Sequence, residues 1–210
     1  MYKLVKGVGV ATSITMVVAT AGCTRAKQAF NAASLGYIVT KGGQLYIKLK
    51  SLAQENEGEM LQEFAQIVTQ FYKAKKGKAW LCAHNGKEFD FPYIARRTLI
   101  NGVALPAALR VQGQKPWETT FVDTMELWRF GDYKNFTSLN LMAHIFGIPT
   151  SKDDIDGSQV ATVYYAQNDL PRITVYCEKD VLTLARVYLK IRGELRPLER
   201  AANHSLQTKQ

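Results

Sequence analysis

Apolar and polar positions begin to alternate regularly at Leu35. Leu45, Ile47 and Leu49 recur at period two, and the run Leu35-Gly36-Tyr37-Ile38-Val39 precedes them across Lys41-Gly42-Gly43. This pattern predicts a β-hairpin turning on two glycines. The period then lengthens: Met60, Phe64, Ile67 and Phe71, widened by Leu61 and Val68, predict a helix. Lys73, Lys75, Lys76 and Gly77 mark its end, the cations complementing the helix dipole and the glycine closing the turn. The same lysines are also placed to grip phosphates, a second reading of the run. Ala79 to Ala83 predicts a strand, and Pro92 opens a helix through Ile94, Ala95, Leu99 and Ile100 that stops at Asn101-Gly102. Phe121 to Met125 predicts another short strand. Thr137 or Ser138 caps a helix through Leu141, Ile145 and Phe146, Ser158 to Gln167 reads as helical, and Pro171 starts a final helix with Ile173, Tyr176, Cys177, Val181, Leu184, Ala185 and Tyr188 on it. The residues after Gly193 are polar and predict a frayed tail. Strands that come first and then alternate with helices predict an α/β layer fold.

Residues 1–33 follow a different pattern. Lys3 and Lys6 precede a run from Gly7 to Cys23 that has no acid and is rich in small and β-branched residues. Alone it resembles a weak signal peptide, and Thr20-Ala21-Gly22-Cys23 loosely resembles a lipoprotein attachment site, which would place the chain at a membrane through Cys23. The plainer reading is a first strand with its flanks, or a start foreign to the domain. It is favoured because Thr20 stands where such a site carries leucine, and the run is short for a membrane span. The expected organisation is an atypical segment over 1–33, a domain over 34–192 and a polar tail over 193–210.

Composition adds a charge asymmetry. The chain has 210 residues, 47% apolar and 21% charged, and a formal charge of +9, which is ordinary globular chemistry with an excess of cations. Residues 1–89 hold 12 Lys or Arg against 5 Glu and no Asp, whereas residues 90–210 hold 15 against 13. The excess sits in the first part of the chain, where it fits an anionic partner or a solvated surface. Three widely spaced cysteines, Cys23, Cys82 and Cys177, form neither a zinc pattern nor a disulfide framework, so a reducing, cytoplasmic setting is expected.

Candidate chemistry gathers in two places. Asp90, the first aspartate in the chain, stands where a strand hands over to a helix N-terminus. Tyr176 and Asp180 are four residues apart on a helix and so share one face, where a phenol and a carboxylate can orient a water and hold a hard cation such as Mg²⁺. Each feature alone also fits plain dipole complementation or a surface ion pair.

Together, His84-Asn85-Gly86-Lys87-Glu88-Phe89-Asp90 and Tyr176-Cys177-Glu178-Lys179-Asp180 closely resemble the second and third motifs of the DEDD superfamily of 3′–5′ exonucleases, in the subgroup ending Tyr-x-x-x-Asp. Val122 to Leu127 and Ser151 to Gly157 are similar to connecting segments of the predicted exonucleases related to the proofreading domain of family B DNA polymerases. The resemblance runs from about Leu35 to Arg192. It implies a ribonuclease H-like fold, a mixed sheet with helices on both sides, and removal of nucleotides from single-stranded DNA or RNA 3′ ends by two Mg²⁺ or Mn²⁺ ions, with no small-molecule cofactor. It further implies that Asp90 and Asp180 hold metal, that Tyr176 positions the attacking water, and that Asn85 contacts substrate. Phe89 and Phe91 either stack on a base or support the loop; His84 is kept as a turn residue and Asp123 as a supporting one. Lys152 and Asp154 to Asp156 either touch substrate or form a solvated loop.

The family's first motif, Asp-x-Glu on the opening strand, is absent. Glu55, Glu57 and Glu59 have the right spacing but lie in a polar lead-in to a helix. The first strand is therefore expected to be missing or altered. A downstream start, a nucleic-acid-binding relative that does not cut, and completion of the site by a partner or a rearranged Glu cluster are the three explanations, in that order.

Overall fold

The computed structural model describes residues 15–20, 32–150, 154–194 and 198–200. Six strands form one mixed sheet: β1 (Thr15–Thr20), β2 (Ala32–Lys41), β3 (Gln44–Ala53), β4 (Trp80–Ala83), β5 (Phe121–Asp123) and β6 (Leu198–Arg200), in the order β5-β4-β1-β2-β3-β6. The β1–β2 and β2–β3 pairs are antiparallel, and the β1–β4, β4–β5 and β3–β6 pairs are parallel. The helices are α1 (Glu57–Ala74), α2 (Asp90–Ile100), α3 (Thr124–Arg129), α4 (Leu139–Ile145), α5 (Val160–Tyr165) and α6 (Leu170–Ile191). They cover both faces, the ribonuclease H-like arrangement that the resemblance implied.

Alternation along the strands divides the core in two. Met16, Val18, Leu35, Leu81 and Phe121 face α1 and α2 and pack with Met60, Phe64, Phe91 and Ile94. Val17, Ile38, Ile47 and Cys82 face α6 and pack with Val181, Leu184, Ala185 and Tyr188. Each such side chain contributes about 1.5–3 kcal/mol by leaving water. The seat of α6 is set by Gly36, whose position on β2 would put a Cβ 2.6 Å from Val181 Cγ1 and 2.8 Å from Ile47 Cδ1. Only a residue without a side chain lets the helix lie this close.

Several boundaries differ from the sequence reading. Residues 15–20, in a leading segment read as a first strand with its flanks or as a start foreign to the domain, pair as a central strand between β2 and β4. Their β-branched and apolar content suits a strand buried on both faces, and such a run has no alternation to betray it. The hairpin is as expected, with the Gly42-Gly43 turn joining two strands of ten residues. The 121–125 segment is a strand only to Asp123, because Asp123 caps α3 by accepting the N–H groups of Met125 and Glu126. The tail is not wholly frayed, since Leu198–Arg200 pairs with β3, and Leu198 is buried.

The acids in the lead-in to α1 are occupied there. Asn56 caps the helix by accepting the N–H of Glu59 at 3.2 Å and returns a hydrogen bond to its carboxylate. Glu57 takes a bidentate bond from Arg97 of α2 in a largely buried contact that ties the two helices. Neither residue is oriented as part of a strand-borne acid pair.

Candidate active site

The turn after β4 is built on a carboxylate. Asp123, buried at the end of the neighbouring β5, accepts the N–H of Asn85 at 2.9 Å and of Lys87 at 3.1 Å. The turn can then pass through a left-handed residue, Asn85 at φ 58°, a conformation that asparagine tolerates better than most residues. Gly86 follows, where a Cβ would fall 2.2 Å from that of Ala83. The carbonyls of Asn85 and Gly86 accept the N–H groups of Phe89 and Phe91, which carries the chain into α2.

His84 is locked beside this turn. Its Nε2–H donates to the Thr137 carbonyl at 3.0 Å, so Nδ1 accepts from the Thr124 hydroxyl at 2.9 Å when the ring is neutral. Burial holds its pKa below the ordinary value, against an opposing pull from the Asp123 charge and the Thr137 carbonyl. Both ring nitrogens are thus occupied, by the first residue of α3 and by the segment before α4.

Asp90 is the first residue of α2 and is buried. Asn85 is half-buried and lines a cavity of about 440 Å³, with Lys87, Phe91, Leu109, Met125 and Arg129 among its walls. Phe91 supports the loop: it is in the core, stacked on Phe121 at 4.2 Å. Phe89 is half-buried and lies parallel to Tyr93, 6.0 Å away.

On α6 the expected pair meets. The buried Tyr176 hydroxyl donates to the Asp180 carboxylate one turn on. Burial, then the Asp180 charge and this hydrogen bond, push the phenol's pKa well above its ordinary value, so it is held protonated. The segment before α5 closes over the pair: a Cβ at Gly157 would lie 3.7 Å from the Tyr176 hydroxyl, and the Asp156 charge also acts on it. Within the same motif Glu178 turns to the sheet. It accepts from Ser51 at 2.7 Å, which leaves Ser34 to donate to Ser51, and it also accepts from Arg200 at 2.7 Å. Asp154 is held by a bidentate bond from Arg172 at 2.7 and 2.8 Å. Lys152 and Cys23 lie outside the described residues.

The structure thus joins Tyr176 to Asp180 and sets Asn85 and Asp90 in one turn, while Asp90 and Asp180 stand on helices that cover opposite faces of the sheet. The strand between them carries no acid. β1 reads Thr-Met-Val-Val-Ala-Thr, and Val17 is wholly buried in the cluster that holds Val181, the residue after Asp180. Among the described residues no group of three His, Cys, Asp or Glu is placed to hold a metal ion. Among the described residues the donor set therefore does not fit a two-ion centre.

A mixed sheet whose β4 hands over to an acidic helix start, with a Tyr-x-x-x-Asp face on the last long helix, defines an exonuclease-like domain of the ribonuclease H-like class. Residues 27–208 match the family described as predicted 3′–5′ exonucleases related to the exonuclease domain of PolB, and the chain belongs to that family. The matched stretch starts after β1. No curated protein matches the chain.

Sequence reasoning missed the seat at Gly36 and the threonine clasp of His84. A visible signal did exist for α3, because Asp123-x-x-Glu126 has the spacing of a helix cap. Asp123 was expected to be a supporting residue, but its four backbone partners are set by the fold.

Proposed function

We propose that this chain engages the 3′ end of single-stranded DNA or RNA between the Asn85–Asp90 turn and the Tyr176–Asp180 face, and that its hydrolytic step lacks the carboxylates of the first strand. Family membership supports the substrate class. The observation that carries the second clause is Val17, an apolar residue on the first strand that packs in the cluster holding Val181, the residue after Asp180. Asn85 supplies an amide at the cavity mouth for the terminal sugar or phosphate, and Phe89 a ring for the last base. Two carboxylates, Asp90 and Asp180, would hold at most a weakly bound Mg²⁺ or Mn²⁺.

The test compares oligonucleotides ending in a 3′-hydroxyl and in a 3′-phosphate, as DNA and as RNA, with the purified full chain. Tighter binding of the free hydroxyl end, weakened by Asn85→Ala, is the expected result; equal affinity for both ends overturns 3′-end recognition. In parallel, labelled strands are incubated with Mg²⁺ or Mn²⁺. Shortening that disappears in Asp180→Asn would establish the second reading, an active exonuclease. That reading is favoured by the intact Tyr176–Asp180 pair and would overturn the deficit inferred from β1.

A further inference from the structure

The lysine run that ends α1 is in excess of what the helix end needs. Lys73, Lys75, Lys76 and Lys78 fall within six residues, and no acid occurs between Glu63 and Glu88. Four carbonyls at this end accept backbone N–H groups. Lys75 N–H donates to Phe71 at 3.1 Å, Gly77 to Tyr72 at 3.0 Å, Lys76 to Lys73 at 2.9 Å and Lys78 to Lys75 at 3.0 Å. Lys76 at φ 52° and Gly77 at φ 75° close the turn in left-handed conformations. A dipole contribution falls off beyond the last helical turn, so it accounts for Lys73 and not for Lys76 or Lys78.

An exposed indole follows the run, two residues after Lys78. Lys73, Lys76 and Lys78 are exposed, and Lys75 carries its ammonium over the Phe71 ring at 5.8 Å. Trp80 follows, 41% exposed at the first residue of β4. Trp80 and the Asn85–Asp90 turn lie at opposite ends of β4, about 10 Å apart along the strand. The lysines lead into the first residue of β4 and therefore lie toward the end of that strand away from the candidate site. A run of exposed lysines that ends two residues before an exposed aromatic ring complements a phosphate backbone with bases able to stack.

We propose that Lys73, Lys76, Lys78 and Trp80 form a second contact for the phosphate backbone of a single-stranded nucleic acid whose 3′ end occupies the Asn85–Asp90 turn. This rests on the substrate class proposed above. The patch grips a long strand without regard to sequence, so affinity depends on length and salt, whereas recognition of the end belongs to the turn at the other end of β4.

The test is fluorescence anisotropy of the full chain in EDTA with labelled oligothymidylates of about four and about twenty nucleotides, from about 50 to about 300 mM KCl. For Lys73→Gln/Lys76→Gln/Lys78→Gln, log K for the long strand should lose about 2 from its slope against log salt, roughly 0.7 per phosphate contact removed. Its affinity should fall by a factor of about ten or more at low salt while the short 3′-hydroxyl strand is unaffected. Trp80→Ala should weaken the long strand and Trp80→Phe restore it. An unchanged slope in the triple variant overturns the proposal. So does poly-glutamate competing as well as poly-thymidylate at equal charge, which would mark the patch as a surface for an acidic protein. If long strands lose the salt slope as expected but the 3′-phosphate block has no effect, the reading of the 3′-end site fails and the backbone surface stands.

Discussion

Asp123 at the end of β5 accepts the backbone N–H of Asn85, in the turn that follows the neighbouring β4, at 2.9 Å, and the same carboxylate caps α3. One buried charge thereby sets both the turn that presents Asn85 and Asp90 and the start of the next helix. Hydrogen bonds to a buried charged acceptor are worth about 1.5–3 kcal/mol each, and orphaned donors add a desolvation cost. Asp123→Ala should destabilise the fold by about 3–5 kcal/mol in urea unfolding. Hydrogen exchange at Asn85 and Lys87 should speed up in advance of the core. Asp123→Asn, which keeps one acceptor, should fall between. Wild-type exchange at those two amides in the alanine variant would show that the turn holds itself.

His84 gives the site an acid limit. Its folded pKa lies below the unfolded value because burial opposes the charged ring, so its contribution to stability is present above the unfolded pKa of about 6.5 and is lost as pH falls through the folded pKa. Unfolding between about pH 7 and pH 4 should show wild type losing stability over this window. In His84→Gln that component should be absent, leaving only the carboxylate titrations. Parallel curves for the two proteins would mean that the ring is free to protonate in place.

Tyr176 acts at the opposite limit. The phenol is held protonated by burial and by Asp180, so its folded pKa lies above the unfolded one. Its contribution is complete below about pH 10 and is lost as pH rises from there through the folded pKa, since only the unfolded chain ionises readily. Tyrosinate absorbance should rise by the same amount in wild type and Tyr176→Phe up to about pH 11, because Tyr176 does not titrate while the protein is folded. An extra ionising tyrosine in wild type near pH 10 would show that the Asp180 contact is open to water.

How far the chain could be read from its sequence follows from where each signal is stored. The Tyr176–Asp180 pair was legible because helical spacing alone puts residues four apart on one face. The turn from His84 to Asp90 was legible as a strand-to-helix junction, with Gly86 at the point where no side chain fits. β1 was left open between a first strand and a foreign start because a strand buried on both faces shows a continuous apolar run, which Thr15 to Thr20 shares with signal-like segments. The last pairing, Leu198 to Leu45, escaped because three residues carry too little periodicity to register. The deficit of acids on the first strand was legible from composition; that an apolar strand occupies the sheet centre in their place was not.

Gly36 links packing to the site. α6 crosses β2 where a Cβ would come within 2.6 Å of Val181 Cγ1, one residue from Asp180. Gly36→Ala must move either the valine side chain or the helix, and overpacking of this kind costs about 1–3 kcal/mol. Ile47 Cδ1, 2.8 Å away, is the far end of a flexible side chain and can turn aside, whereas the Val181 methyl is attached one bond from its Cβ on α6, so α6 should lift. A lifted helix carries Asp180 and Tyr176 away from β1 and admits water to the phenol, so tyrosinate should form at lower pH in the variant than in wild type. Val181→Ala removes the clashing methyl, leaves a cavity by itself, and should offset Gly36→Ala when the two are combined. The double variant should therefore be more stable than the sum of the single losses and should recover the wild-type tyrosine titration. Strict additivity in unfolding, with an unchanged titration in Gly36→Ala, would show that α6 takes its position from contacts other than this seat.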